Sequence, residues 1–187
     1  MRTGAGPRVS LATLSTPHLS MPPLHTRHEA LYVALYADPR VMSRIAAPLA
    51  PDEARRAFAA ALSALDDPDP ALRTWAVIER DSGRALGIGA MIRRAQDTEL
   101  GLMLLPAGWN ARYSHEVIDA LVAHAFDDLG VDRLVGICRA GANERMSRRL
   151  LRAHGFVDVP PDRPGTAQWA LDRGGWLRPV GMPPAPG

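Results

Sequence analysis

The sequence predicts an α/β fold in which a single mixed sheet carries helices on both faces. Residues 99–105 form a short apolar run closed by a proline, which is typical of a buried strand. From Ser114 onward, apolar residues recur at steps of three and four, which indicates an amphipathic helix. Residues 73–80 and 84–94 are two strand-like runs joined by a short turn that contains glycine, which predicts a hairpin. Strands and helices therefore alternate along one chain, as in a layered α/β domain.

The segments ahead of the hairpin alternate in the same way. They are predicted as a short edge strand over 9–14, a first strand over 18–21, a helix over 26–36, a helical turn over 41–45 and a second helix over 51–64. Pro51 suits the first position of that second helix, and the carboxylates of Asp52 and Glu53 complement its dipole.

The last third of the chain continues the alternation. Ser114 is a plausible N-cap of the long amphipathic helix, and Gly130 suits its C-terminal end. The later predicted elements are a strand over 133–139, a helix from Asn143 or Glu144 to Gly155, and closing strands over 156–159 and 167–171. We expect a flexible arm over 1–14, one domain over 15–172 and a Pro/Gly-rich tail over 173–187.

Composition narrows the class of protein. The chain has 187 residues, a net charge of +2 and no lysine. It has no basic run with interleaved aromatic residues, so we expect no nucleic-acid partner, and no apolar stretch long enough to cross a membrane. No secretory leader is recognisable, and we expect a soluble cytoplasmic protein. The single Cys138 excludes an internal disulfide and reads as a buried, inert thiol, and no histidine has metal-ligand spacing.

One long motif resembles a known family. Residues 99–117 read E-x-G-x-M-L-L-P-x-x-W-x-x-x-Y-x-x-E-V. This pattern is similar to the core of the GNAT superfamily of acyl-CoA-dependent N-acetyltransferases, closest to its ribosomal-protein-alanine acetyltransferase-like branch. The resemblance extends in the family's order over residues 15–172, including an A-D-P-R-V-M turn at 37–42 and S-R-R-L-L before G-F at 147–156.

The resemblance implies a mostly antiparallel sheet in which the strand over 99–105 splays from its neighbour to receive acetyl-CoA. Leu102, Met103 and Leu104 would line the pantetheine arm. The residues implied to hold the cofactor around the pyrophosphate are Asn110, Ala111, Arg112, Tyr113, Ser114 and His115, with Asn143 on the later helix as a further contact.

The phosphate loop departs from the family pattern. The family carries glycines where this chain has Asn110 and Arg112. Forcing an arginine into a left-handed conformation costs about 1–2 kcal/mol. Arg112 could alternatively form a bidentate contact with the pyrophosphate and replace backbone contacts by a charged one. Both alternatives, a working cofactor site and a degraded one, remain open from sequence alone.

Two residues are candidates for catalysis through the resemblance. Glu99 stands where related enzymes often carry a glutamate base, and Asp97 is a weaker substitute. Ser147 stands where the family's helix serine lies near the cofactor sulfur. Asn143 stands four residues before Ser147 instead of the family's three, and one added residue turns a helical position by about 100°. The resemblance therefore supports a match at Asn143 or at Ser147, and not clearly at both. The expected activity is acetyl transfer to a primary amine, either a small molecule or a protein N-terminus. The alternative is a GNAT-fold pseudoenzyme that binds a ligand or a protein. Members of this family often form dimers, so the resemblance also implies, by analogy alone, that a homodimer can form.

Overall fold

The computed structural model describes residues 11–43, 45–109, 111–141 and 144–176. Within these residues, eight strands form one sheet in the order β1-β2-β3-β4-β5-β6-β8-β7. The strands are β1 (Leu14–Ser15), β2 (Leu19–Met21), β3 (Leu72–Glu79), β4 (Ala85–Arg93), β5 (Thr98–Leu104), β6 (Arg133–Arg139), β7 (Val157–Val159) and β8 (Thr166–Asp172). All neighbouring strands are antiparallel except β5 and β6, which run parallel. The predicted mixed, mostly antiparallel sheet is confirmed.

Helices cover both faces of this sheet. They are α1 (Glu29–Ala37), α2 (Pro39–Met42), α3 (Pro51–Ala64), α4 (Ala111–Ala123) and α5 (Glu144–Ala153). One buried core joins α4 and α5 to the sheet and includes Leu100 and Leu104 of β5. A second core joins α1, α2 and α3 to the opposite face and includes Met103. Successive β5 side chains therefore enter different cores, as the pleat of a strand requires.

Most element boundaries agree with the sequence prediction. α3 and β6 have the predicted limits. α4 continues as a π-helix over His124–Asp128, and Gly130 and Gly155 take positive φ angles of 65° and 87° just after this π-helix and after α5. The predicted turn over 41–45 instead begins at Pro39, because the Asp38 carboxylate accepts a hydrogen bond from the Arg40 N–H at 2.8 Å and caps it. Among the described residues, no helix combines the length and apolar character needed to cross a bilayer.

Candidate functional site at the parting of two strands

The parallel strands β5 and β6 separate after only three residue pairs. Thr98 to Leu100 pair with Leu134 to Gly136, and beyond them the strands diverge. A Cβ added to Gly136 would lie 2.5 Å from Leu151 of α5, so the glycine lets α5 pack close to the point of separation. The divergence opens a cavity of about 420 Å³ whose walls come from both strands and from both helical layers.

The free edge of β5 turns main-chain groups into this cavity. The Leu105 N–H donates to the Leu86 carbonyl oxygen at 2.8 Å, so odd-numbered β5 residues exchange hydrogen bonds with β4. The N–H and C=O groups of Leu102 and Leu104 therefore point away from β4, toward the space where β6 has departed. The Leu104 carbonyl accepts from Trp109 Nε1 at 2.8 Å. An extended ligand could pair with this edge as an added strand does.

Two helices close one side of the cavity with mostly apolar side chains. The α4 residues in this wall are Ser114 and Ile118, and the α5 residues are Met146, Ser147, Leu150 and Leu151. The wall thus places one hydroxyl from each helix next to the free edge of β5.

Cys138 of β6 lies in the same wall, beside Ser147. It is partly exposed, so the prediction of a buried thiol is wrong. The thiol lines the cavity because β6 has already left β5 at this position. Burial raises the pKa of the Cys138 thiol, although a hydrogen bond with Ser147 lowers it in part. The group is therefore protonated at neutral pH.

The start of α4 differs from the prediction. The helix begins at Ala111, so Ser114 lies within its first turns and is not the N-cap. No non-glycine residue among those described has a positive φ. Arg112 is helical, and the expected left-handed strain at this position is absent. Asn110, the other glycine replacement, lies outside the described residues.

Arg112 is held by a chain of polar contacts outside the cavity wall. Its Nη1 lies 2.9 Å from Nε2 of His18, and Nδ1 of the same ring lies 2.6 Å from Oε1 of Glu116. The other carboxylate oxygen of Glu116 accepts from Thr16 Oγ1 and from the His18 N–H at 3.1 Å. Burial raises the pKa of Glu116, but these hydrogen bonds outweigh it and the net pKa lies below its usual value. The carboxylate therefore fixes the ring that faces Arg112.

Most of the chain also matches the sequence pattern of one protein family. The family model described as "Acetyltransferase (GNAT) domain" matches residues 18–157. The chain belongs to the GNAT acetyltransferase family. It is accordingly an acyl-CoA-dependent acetyltransferase, as predicted.

Relatives of this GNAT chain agree with the assignment. The FsC-acetyl coenzyme A-N(2)-transacetylase of Aspergillus fumigatus is 25% identical over 89% of this chain and 78% of its own length. Among solved structures, a spermidine N-acetyltransferase from Vibrio cholerae, in complex with CoA and spermine, has a TM-score of 0.72 at 14% identity, covering 86% of this chain and 98% of that one. A proposed ribosomal-protein-serine acetyltransferase from the same organism has a TM-score of 0.71 at 16% identity, covering 87% and 98%. At these identities the two structures share the fold.

The residues predicted to bind the cofactor divide into three groups. Leu102, Met103, Leu104 and Ser114 line the cavity. Arg112, Tyr113 and His115 are not among its lining residues. Asn143, like Asn110, lies outside the described residues, and for Ala111 only the helical backbone is described.

Tyr113 and His115 contact other parts of the GNAT fold. The Tyr113 hydroxyl donates to Glu79, and this bond raises the pKa of the phenol. His115 Nδ1 lies 2.8 Å from Nε2 of His154, and Nδ1 of His154 lies 2.7 Å from Asp119. Burial, followed by the neighbouring His154, lowers the pKa of His115. This chain of contacts joins α4 to α5.

Glu99 lies at the start of β5, on the face that Met103 shares. Its Oε2 accepts from Arg94 Nε at 2.9 Å, and its side chain is 17% exposed. It is not among the residues that line the cavity. The structure thus brings Ser147 into the candidate site and leaves Glu99 beside it, and the catalytic role of each stays a prediction.

Sequence reasoning missed the opposite wall of the cavity. Five residues line it that the sequence analysis did not assign to the site: Val41, Ile45, Ile137, Arg139 and Arg163. A partial signal existed, because Arg139 ends β6, the strand predicted to neighbour the splayed end of β5. The part of the chain that the structure describes contains no group of three or more His, Cys, Asp or Glu side chains able to hold a metal ion.

Proposed function

We propose that this GNAT chain transfers an acetyl group from acetyl-CoA to a primary amine by direct attack of the amine. The observation that carries the proposal is the free β5 edge, with the main-chain groups of Leu102 and Leu104 turned into an apolar cavity. The pantetheine arm contains amide groups that can pair with such an edge. These residues therefore fit the cofactor that the family uses.

Acetyl-CoA supplies the acetyl thioester, whose C–S bond breaks as the C–N bond to the acceptor forms. The chain itself has three tasks: to hold the two substrates together, to accept the proton that the amine loses, and to donate a proton to the leaving sulfur. Leu102 and Leu104 perform the first by hydrogen bonds, while Ile118 and Leu150 exclude water.

Ser147 is the residue we assign to proton donation or positioning at the sulfur. It lines the cavity in α5, beside Cys138. Burial raises the pKa of the Cys138 thiol, and the thiol donates to the Arg139 carbonyl oxygen at 3.3 Å, so this neighbour of Ser147 stays neutral. A neutral pair avoids repulsion with a developing thiolate.

Glu99 is the residue we assign to proton acceptance. It lies on the same face of β5 as Met103, toward α2, and its carboxylate is held by Arg94. Since Glu99 does not line the cavity, the proton must reach it through water.

The acceptor is an amine in this proposal, either a small molecule or a protein N-terminus. The printed names of two similar proteins, an N(2)-transacetylase and a spermidine N-acetyltransferase, support an amine nitrogen as the acceptor atom. The pseudoenzyme alternative rests on the replacement of both loop glycines, Asn110 and Arg112. Arg112 is helical and without left-handed strain, which favours the working enzyme, and Asn110 lies outside the described residues.

Steady-state kinetics with two variants test the roles within this proposal. We expect Glu99→Gln to lower kcat by about 100-fold, since loss of a general base typically costs that much, with acetyl-CoA binding unchanged. Asp172→Asn is a matched control, because Asp172 is also a strand-end carboxylate paired with an arginine, 3.0 Å from Arg133. Equal kcat values for Glu99→Gln and Asp172→Asn would remove Glu99 from the mechanism.

A further inference from the structure

The cavity has two sides of different chemistry. Strand alternation sends Cys138 toward α5, and therefore sends Ile137 and Arg139 toward the α2 side. Val41 and Ile45, from α2 and the segment after it, line the cavity on that side. The cavity therefore passes through the plane of the sheet. If acetyl-CoA occupies the α4/α5 side, as proposed above, the α2 side is left for the acceptor.

The α2 side carries two arginines from adjacent parts of the sheet. Arg139 is the register partner of Thr166 in β8, and the Ala140 N–H donates to the Gly165 carbonyl at 2.9 Å. This register places Arg163, in the loop just before β8, next to the end of β6. Among the described residues, no ion pair or side-chain hydrogen bond engages either guanidinium.

No carboxylate balances this charge in the part of the cavity wall that the structure describes. Of the acidic residues nearest in sequence, Glu144 pairs with Arg148 at 2.7 Å. Asp162 keeps its negative charge, because its partner at 3.1 Å is the neutral amide of Gln168. Two guanidinium groups outweigh this one carboxylate, so the potential on the α2 side is positive and disfavours a polycationic acceptor.

Exposed apolar side chains line both sides of the cavity. Ile45 lies on the α2 side and Met146 in the α5 wall; with Trp109 they are three of the four large apolar side chains that are exposed among the described residues. Exposed apolar surface gathered at one concave site is typical of a ligand site. The acceptor side thus combines an apolar wall with two unpaired guanidinium groups.

We infer that the acceptor is an amine that also carries a carboxylate and an apolar body, such as a short apolar peptide. This inference rests on the proposed function and names the substrate class of the same site. The carboxylate pairs with Arg139 and Arg163, whose planar guanidinium groups suit bidentate contacts. The apolar body lies against Val41 and Ile45, and this leaves the amine directed toward the parting of the strands.

The proton chemistry favours the same class. A peptide α-amine has a pKa near 8, so roughly a quarter of it is neutral at about pH 7.5. An alkylamine has a pKa near 10.4, so only about a thousandth of it is neutral at that pH. Because no carboxylate or histidine lines the described part of the cavity, an acceptor that arrives partly neutral has the advantage.

The test is isothermal titration of three amines into the protein saturated with CoA: L-leucyl-L-alanine, its C-terminal amide, and spermidine. We expect the free acid to bind about tenfold more tightly than the amide, and spermidine to bind most weakly. The double variant Arg139→Gln/Arg163→Gln should bind acid and amide alike. Arg56→Gln, which alters an exposed arginine of α3 outside the cavity, should keep the preference.

CoA binding to each variant serves as the control for folding and separates the two failures. If CoA binds but the amide or spermidine binds as tightly as the acid, or neither dipeptide binds at millimolar concentration, the inference is wrong and the proposed function stands. If the double variant loses affinity for CoA and keeps the acid preference, the arginines serve the cofactor and the inference is likewise wrong. If CoA does not bind the wild-type protein, the proposed function fails and the inference fails with it.

Discussion

Arg112 occupies a position where the family pattern expects glycine, and its conformation decides what that exchange means. From sequence, the glycine pattern predicted a loop with left-handed backbone, and Ser114 looked like the N-cap. The helix instead begins at Ala111, so Arg112 is helical and unstrained. The competing helix start could not be predicted, because Ala111 and Arg112 are themselves good helix formers and extend the helix past the apparent cap.

A cofactor-binding role for Arg112 is testable by substitution. We expect Arg112→Ala to weaken acetyl-CoA binding about 10- to 150-fold, because a hydrogen bond to a charged group contributes about 1.5–3 kcal/mol. Alanine keeps the helix, so the effect reports the guanidinium. Titration calorimetry with acetyl-CoA measures it. An unchanged or tighter dissociation constant would mean that Arg112 does not help to hold the phosphates.

At the scale of elements, the pairing of β4 with β5 sets the edge that faces the cavity. A Cβ on Gly87 of β4 would lie 2.1 Å from the Met103 carbonyl oxygen and 2.9 Å from Leu104 Cα. A glycine inside a strand suggests a bulge or a close approach of another backbone, and Gly87 shows the close approach. The walls of the cavity were harder to predict. Arg139 and the loop that carries Arg163 become neighbours only because Arg139 of β6 pairs with Thr166 at the start of β8.

Two alanine substitutions test this packing. We expect Gly87→Ala to lower the free energy of unfolding by about 3 kcal/mol, since the added methyl meets backbone that cannot move. Gly101→Ala is the matched control: its Cβ would find only the Ala90 Cβ at 3.6 Å, and we expect a change within about 1 kcal/mol. Urea denaturation measures both. Similar losses in the two variants would contradict the register described for β4 and β5.

The α4–α5 contact through His115, His154 and Asp119 predicts a pH dependence of stability. The pKa of His115 in the folded protein lies below the ordinary value of 6.5. Burial is the largest cause, and the neighbouring His154 and Arg149 lower the pKa further, while the Asp119 carboxylate raises it in part. As pH falls below about 6.5, the unfolded chain therefore takes up the proton first. The contribution of His115 is complete above that pH and is lost as pH falls.

We expect the free energy of unfolding to fall between about pH 7.5 and 5.5, and to fall less in His115→Gln. Glutamine can still donate to His154, so the contact between α4 and α5 is kept. Denaturant midpoints at several pH values measure the slope. A wild-type slope that His115→Gln leaves unchanged would assign the effect to other groups, such as His28, whose pKa burial also lowers.

For the whole molecule, sequence patterns predicted the order of elements and the helices on both faces of the sheet. The hydrophobic periodicity of each element, and the glycine and proline residues that end it, are local features of the sequence. These patterns predicted only part of the lining of the through-sheet cavity, on β5, α4 and α5. The other side chains come from α2, β6 and the loop before β8, which are brought together by the tertiary fold. The cytoplasmic location, the homodimer, the domain limits and the loose termini stay predictions. The central claim is that the parting of β5 from β6 holds acetyl-CoA.

Thermal unfolding with and without millimolar acetyl-CoA tests that claim most directly, on the wild-type chain and on Cys138→Trp, which fills the cavity. A ligand at about 100 times its dissociation constant adds about 2.7 kcal/mol of stability, which for a domain of this size raises Tm by roughly 5–10 °C. We predict that rise for the wild type and none for Cys138→Trp, each compared with its own ligand-free Tm. No shift in the wild type, or an equal shift in both proteins, would contradict the claim.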